Sequence, residues 1–131
     1  MRRGSHPAFL SLEQLMILHR TSLHEHGGID GIRDEGAVES ALASAKNAWL
    51  YLTGDVYDVA AAYAYHIAQS QAFLDGNKRT AMSAAIVFLV VNECEDRGED
   101  ERLHEAMIAI ARREMDKAGL AALLREQFPF R

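Results

Sequence analysis

Apolar residues recur along most of the chain at the spacing of one helix face, and no segment alternates as a half-buried strand does. Ser11-Leu12-Glu13-Gln14 opens the first such stretch as a capping box, in which the serine oxygen and the Gln14 side chain each satisfy a free backbone N–H. Leu12, Leu15, Met16 and Leu23 then mark an apolar face, and Gly27-Gly28 ends it. Asp34 is the N-cap of a second helix that carries Val38, Ala41 and Leu42 inward. Asn47 to Gly54 is less regular and reads as either a short extended flap or the end of that helix. Asp55 caps a third helix running to Ser70, where Ala60, Ala61, Ala62, Ala64 and Ala68 allow close approach and Tyr63 and Ile67 supply bulk. A fourth helix, Asn77 to Asn92, is apolar on all sides from Ala84 to Val91, which places it in the middle of the core. Charged residues from Glu93 to Asp100 form a loop. Leu103, Met107, Ile110 and Ala111 mark a fifth helix, and Leu120, Leu123, Leu124 and Phe128 a sixth. The pattern predicts a compact all-α domain around a buried central helix, without internal repeats.

Composition narrows the class. With 131 residues, 49% of them hydrophobic and 25% charged, the chain has the length and apolar content of one globular domain. That domain is expected over residues 10–131, with residues 1–9 set apart as a disordered or tag-like tail. Nineteen acidic against fourteen basic residues give a net charge of −5, which argues against a broad nucleic-acid footprint but permits a local basic site. The lone Cys94 has no partner for an intrachain disulfide and fits a reducing, cytoplasmic setting. The start is basic, but no long apolar stretch follows it as in a secretory signal, and the run from Ala84 to Val91 is too short to span a bilayer. No membrane partner is expected.

The segment that carries chemistry runs from Gln71 to Thr80. It gathers Asp75, Gly76, Asn77, Lys78 and Arg79 at the start of the apolar helix. The first free N–H groups of that helix, its positive dipole end and two cations make an anion site there, with phosphate the natural ligand. Gly76 allows close backbone approach, and Asp75 is placed to hold a divalent cation bridging phosphates. Asp-Gly-Asn is equally an ordinary turn and cap, and Lys-Arg on a first turn is often only solvated. Spacing alone leaves both readings open.

The sequence from Phe73 to Ala81 resembles the signature of the Fic/Doc family, a histidine-x-Phe-x-Asp/Glu-Gly/Ala-Asn-Gly/Lys-Arg pattern. Lysine after the asparagine, followed by Thr80-Ala81, is the version of death-on-curing (Doc) toxins. Gly27-Gly28, Gly31 to Asp34, Glu39 to Leu42 and the helix from Ala60 to Ala68 resemble the same type, so the likeness covers Leu10 to Phe128. The resemblance implies a helical domain whose motif loop binds a nucleoside triphosphate such as ATP with Mg²⁺ and modifies a protein hydroxyl. Most Fic proteins transfer AMP. Doc toxins transfer phosphate to elongation factor Tu, halting translation, and a cognate antitoxin blocks them. By the same resemblance Asp75 is the metal ligand, while Asn77 holds phosphate oxygens. Lys78 and Arg79 neutralise the phosphate chain, and Gly76 with Thr80 and neighbouring N–H groups completes the cradle. Phe73 pins the loop into the core.

One position departs from the signature. Gln71 stands where the family has its catalytic histidine, and Ala72 replaces a proline common in Doc proteins. Glutamine orients a hydroxyl but does not accept its proton, so activity is expected to be impaired. A slow natural variant, a pseudoenzyme that binds nucleotide or antitoxin without turnover, and an engineered inactivation all remain open. Other candidates have simpler roles. His66 is expected in a structural hydrogen bond, and His19, His24 and His26 as a solvated cluster at a helix end. Cys94 reads as buried or inert, and the loop from Gly27 to Gly36 lacks the Gly-Lys-Ser/Thr ending of a Walker loop. Thr21 to Glu25 matches the start of the Ser/Thr-x-x-x-Glu-Gly/Asn inhibitory helix of some Fic proteins, but His26 breaks the match. Inhibition is therefore expected from a separate antitoxin.

Overall fold

The computed structural model describes residues 6–131. Its helices are α1 (Leu12–His26), α2 (Glu35–Leu50), α3 (Val56–Ser70), α4 (Asn77–Val91), α5 (Glu101–Ala111) and α6 (Lys117–Gln127). The fold is all-α, as the spacing predicts. Extended pairing among the described residues is limited to two isolated antiparallel bridges, Ile32 with Phe73 and Cys94 with Phe130.

Five helices begin on a side-chain cap. Ser11, Asp34, Asp55, Asp100 and Asp116 each accept from a backbone N–H one turn on, and Ser11 and Asp55 complete capping boxes with Gln14 and Asp58. Helix α4 differs: it starts after Gly76, whose left-handed φ of 75° turns the chain inward, and no side chain caps it. Its first N–H groups are left open, and the segment from Gln71 to Gly76 leads into that end.

The buried centre is shared by α3 and α4. Helix α3 packs against α2, α4, α5 and α6, and its alanines let those neighbours close on Tyr63 and Ile67. Helix α4 buries Ala81, Met82, Ala84, Ala85, Phe88 and Leu89, but Val91 is 55% exposed. The apolar run from Ala84 to Val91 is thus not enclosed on every side. Its outer edge, with Val87, lines a groove beside Phe9 and Ile17.

Three local expectations change. The stretch from Asn47 to Gly54 is a helix end: α2 continues to Leu50, and Gly54 N–H closes the turn on Ala48 O at 2.8 Å. On α1 the inward stripe is Leu15, His19 and Ser22, whereas Leu12 is 47% exposed. Packing also begins before Leu10. Pro7 is buried, and Ala8 exchanges two hydrogen bonds with the Asn92 side chain, at 2.7 and 3.0 Å. Residues 1–5 of the expected tail lie outside the described residues. No helix among the described residues is long and apolar enough to cross a membrane.

Candidate active site

The motif loop is built from its backbone outward. Helix α3 ends at Gln71, a non-glycine residue in the left-handed region with φ 53°. The chain then runs extended beside residues 31–34. Arg33 and Asp34 both donate N–H to Ala72 O, at 2.9 and 3.0 Å, and Leu74 N–H donates to Gly31 O at 3.0 Å. Asn77 closes the loop from the other side. Its Oδ1 accepts from Phe73 N–H and its Nδ2 donates to Phe73 O, both at 2.9 Å. Phe73 itself is fully buried and anchors the loop. The Asn77 amide, expected to hold phosphate oxygens, is therefore committed to the loop.

Asp75 projects from this braced loop with its carboxylate exposed. Two long backbone hydrogen bonds orient it, Ile29 N–H to Oδ2 at 3.2 Å and Gly76 N–H to Oδ1 at 3.3 Å. Beside it, at the uncapped start of α4, lies a pocket of about 260 Å³. Asp75, Gly76, Asn77, Lys78 and Arg79 line one side, and Ser22, His26 and Gly27 at the end of α1 line the other. Arg79 Nη1 donates to His26 Nε2 at 3.1 Å, which aims the guanidinium across the pocket. Ser22 is only 6% exposed, and its hydroxyl has no hydrogen-bond partner. An open helix start and two cationic side chains thus stand around one cavity, the groups an anion would need. The groove near Phe9 is no larger, and its lining carries no charged side chain.

Gln71 lies outside that lining, at the edge of the loop, where its Oε1 accepts from Arg33 Nη1 at 3.1 Å. This contact of Arg33 with Gln71 is one that sequence reasoning missed. Only the pairing of residues 31–34 with 72–74 brings Arg33 there, a contact without a local sequence signal. Thr80 is fully buried, its hydroxyl unpartnered, and it does not line the pocket. His66 meets Lys117 Nζ at 3.2 Å, and burial together with that ammonium lowers its pKa below the ordinary histidine value. Cys94 is buried, and its thiol donates to the Tyr57 hydroxyl at 3.7 Å.

His24 and His26 are exposed, as expected of a solvated helix end, but His19 is not. It is 0% exposed, with its ring stacked on Phe73 at 3.9 Å between centroids. Its place at the fourth position after Leu15 puts it on the inward stripe, and that spacing was the available signal.

The Fic/DOC family model matches residues 9–89, a span that includes α1, the paired loop segments and the start of α4. The chain belongs to the Fic/Doc family. It is 31% identical over 121 residues to a protein named Protein kinase doc of Escherichia phage P1, covering 91% of this chain and 94% of that one. It is 36% identical over 104 residues to Toxin Doc of Mycolicibacterium smegmatis, covering 75% and 78% respectively. These relatives place it with the Doc-type toxins of the family. The loop from Gln71 to Arg79 lies inside the span that the family model matches.

Proposed function

We propose that this Doc-type chain transfers phosphate from a nucleoside triphosphate, ATP with Mg²⁺, to a hydroxyl of elongation factor Tu, slowly because Gln71 supplies no base. The observation that carries this reading is the pocket at the uncapped start of α4, with Lys78 and Arg79 on one wall. The free N–H groups of Asn77, Lys78 and Arg79 and the two cationic side chains suit a phosphate chain. No three His, Cys, Asp or Glu side chains gather into a protein cage for a metal among the described residues. A lone exposed Asp75 fits Mg²⁺, which commonly takes one or two carboxylates plus phosphate oxygens. When bound, that ion neutralises charge on the transferring group.

The chain's own residues then divide the work. Lys78, Arg79 and the α4 N–H groups hold the donor and offset the charge that leaves with the departing diphosphate. Gly76 lets the phosphates approach the backbone. Gln71, held by Arg33, orients the attacking hydroxyl. A bond forms between the hydroxyl oxygen and phosphorus, the bond to the diphosphate oxygen breaks, and the proton passes to solvent. A cognate antitoxin is the expected protein partner, by likeness to the Doc toxins.

The test is the intact mass of elongation factor Tu after incubation with the chain, ATP and Mg²⁺. Phosphate addition supports the reading, and AMP addition assigns the chain to the AMP-transferring class instead. A second reading, nucleotide or antitoxin binding without turnover, is favoured by Gln71 alone. It expects ATP–Mg²⁺ to raise the melting temperature while neither the unaltered chain nor Gln71→His transfers anything. In both readings Arg79→Ala abolishes stabilisation by the nucleotide.

A further inference from the structure

A histidine is costly to bury unless its polar atoms are used. His19 is fully buried on α1, and its one hydrogen bond leaves the helix for the functional loop. Nε2 lies 2.9 Å from the backbone oxygen of Asp75. A carbonyl only accepts, so Nε2 carries the proton. The ring also backs Phe73, at 3.9 Å between centroids and 12° between planes. Nδ1 has no hydrogen-bond partner, and Asp30 Oδ1 stands 4.0 Å from it.

The turn that follows α1 grips the same residue from the other side. Ile29 N–H donates to the Asp75 carboxylate. Gly28, at φ 128°, passes so close that a Cβ there would stand 3.2 Å from Oδ2. One helix and its turn thus hold both the backbone and the carboxylate of Asp75, and His19 is the buried end of that grip.

We propose that His19 is a positioning residue for Asp75: through its Nε2–H bond to the Asp75 carbonyl and its stack on Phe73, it fixes the direction in which the carboxylate meets a nucleotide-bound divalent cation. The inference rests on the reading of Asp75 as a metal ligand. Groups that orient a metal ligand affect metal affinity without touching the ion.

The experiment uses Mn²⁺ as probe, followed by its electron paramagnetic resonance signal, with ATP and the full chain. His19→Phe keeps an aromatic ring against Phe73 and removes the donor, whereas His19→Gln keeps a donor and removes the ring. Far-UV circular dichroism checks that both fold. His19→Phe is expected to weaken Mn²⁺–ATP binding about tenfold, with ATP binding in the presence of a chelator unchanged. His19→Gln is expected to recover part of the loss. The proposal is overturned if His19→Phe binds Mn²⁺–ATP as the unaltered chain does, or if both variants lose binding equally with and without metal. If Asp75→Asn binds Mn²⁺–ATP as tightly as the unaltered chain, the metal-ligand reading of Asp75 fails first and takes this inference with it.

Discussion

The guanidinium of Arg33 donates to the amide oxygen of Gln71 across 3.1 Å. Backbone pairing puts it there, since Arg33 and Asp34 both donate to Ala72 O. In the proposed transfer, the position that would take up the hydroxyl proton therefore holds a group that does not titrate near neutrality, with its oxygen already engaged. Gln71→His is expected to raise transfer by about 10²–10⁴-fold, the usual contribution of a placed general base. Beside Arg33 the introduced imidazole is biased toward its neutral, proton-accepting form. The acid limb of its rate profile should thus lie below the ordinary histidine range, and adding Arg33→Ala should move that limb to higher pH. Rates of elongation factor Tu modification across pH measure both effects. An unchanged rate in Gln71→His would show that the missing base does not limit the reaction.

Asn77 acts on the site through Phe73. Its amide satisfies both polar groups of the Phe73 backbone, each at 2.9 Å. Asn77→Ala leaves that N–H and C=O without their partner in a half-buried loop, at a cost of about 1–3 kcal/mol. Urea unfolding reads the loss. Nucleotide binding should weaken in the same variant, because Asp75 and the start of α4 flank the loosened segment. Retained stability would mean that the loop keeps its shape without the amide.

Much of this architecture was legible in the sequence because its causes are local. Ser11, Asp34 and Asp55 announce helix starts by themselves, and apolar spacing finds the inward faces of α5 and α6. The motif residues lie close together in the chain, so the pocket at Asp75 to Arg79 was in view as well. Arg33 was not, because its place depends on a pairing between segments far apart in sequence. His19 was hidden for another reason. Grouping it with His24 and His26 by residue type concealed its position on the stripe of Leu15 and Ser22. Thr80 was placed in the nucleotide cradle by the resemblance, although as the fourth residue of α4 it turns its side chain into the core.

That difference for Thr80 is measurable. Its hydroxyl is buried without a hydrogen-bond partner, an arrangement that costs about 1–3 kcal/mol in proteins. Thr80→Val keeps the branched shape and removes the oxygen, so it should raise stability by about 1 kcal/mol. ATP–Mg²⁺ should stabilise this variant as much as the unaltered chain. A selective loss of nucleotide binding would instead return Thr80 to the cradle.

His66 should set part of the chain's acid sensitivity. Burial, and secondly the Lys117 ammonium, hold its pKa in the folded state below the ordinary value of 6.5. Lys117 Nζ approaches Nε2 at 3.2 Å, a contact that requires the neutral ring as acceptor. As pH falls through 6.5, the unfolded chain takes up this proton before the folded one does. The unfolded state then binds more protons, so stability falls with pH. The contribution is therefore complete above the unfolded value and lost progressively below it, until the folded pKa is reached. His66→Gln removes the titration and should flatten the fall in urea midpoint between about pH 7.5 and about pH 5. Lys117→Met should flatten it partly, because burial remains after the ammonium is gone. The same slope in all three proteins would assign the acid sensitivity to other groups.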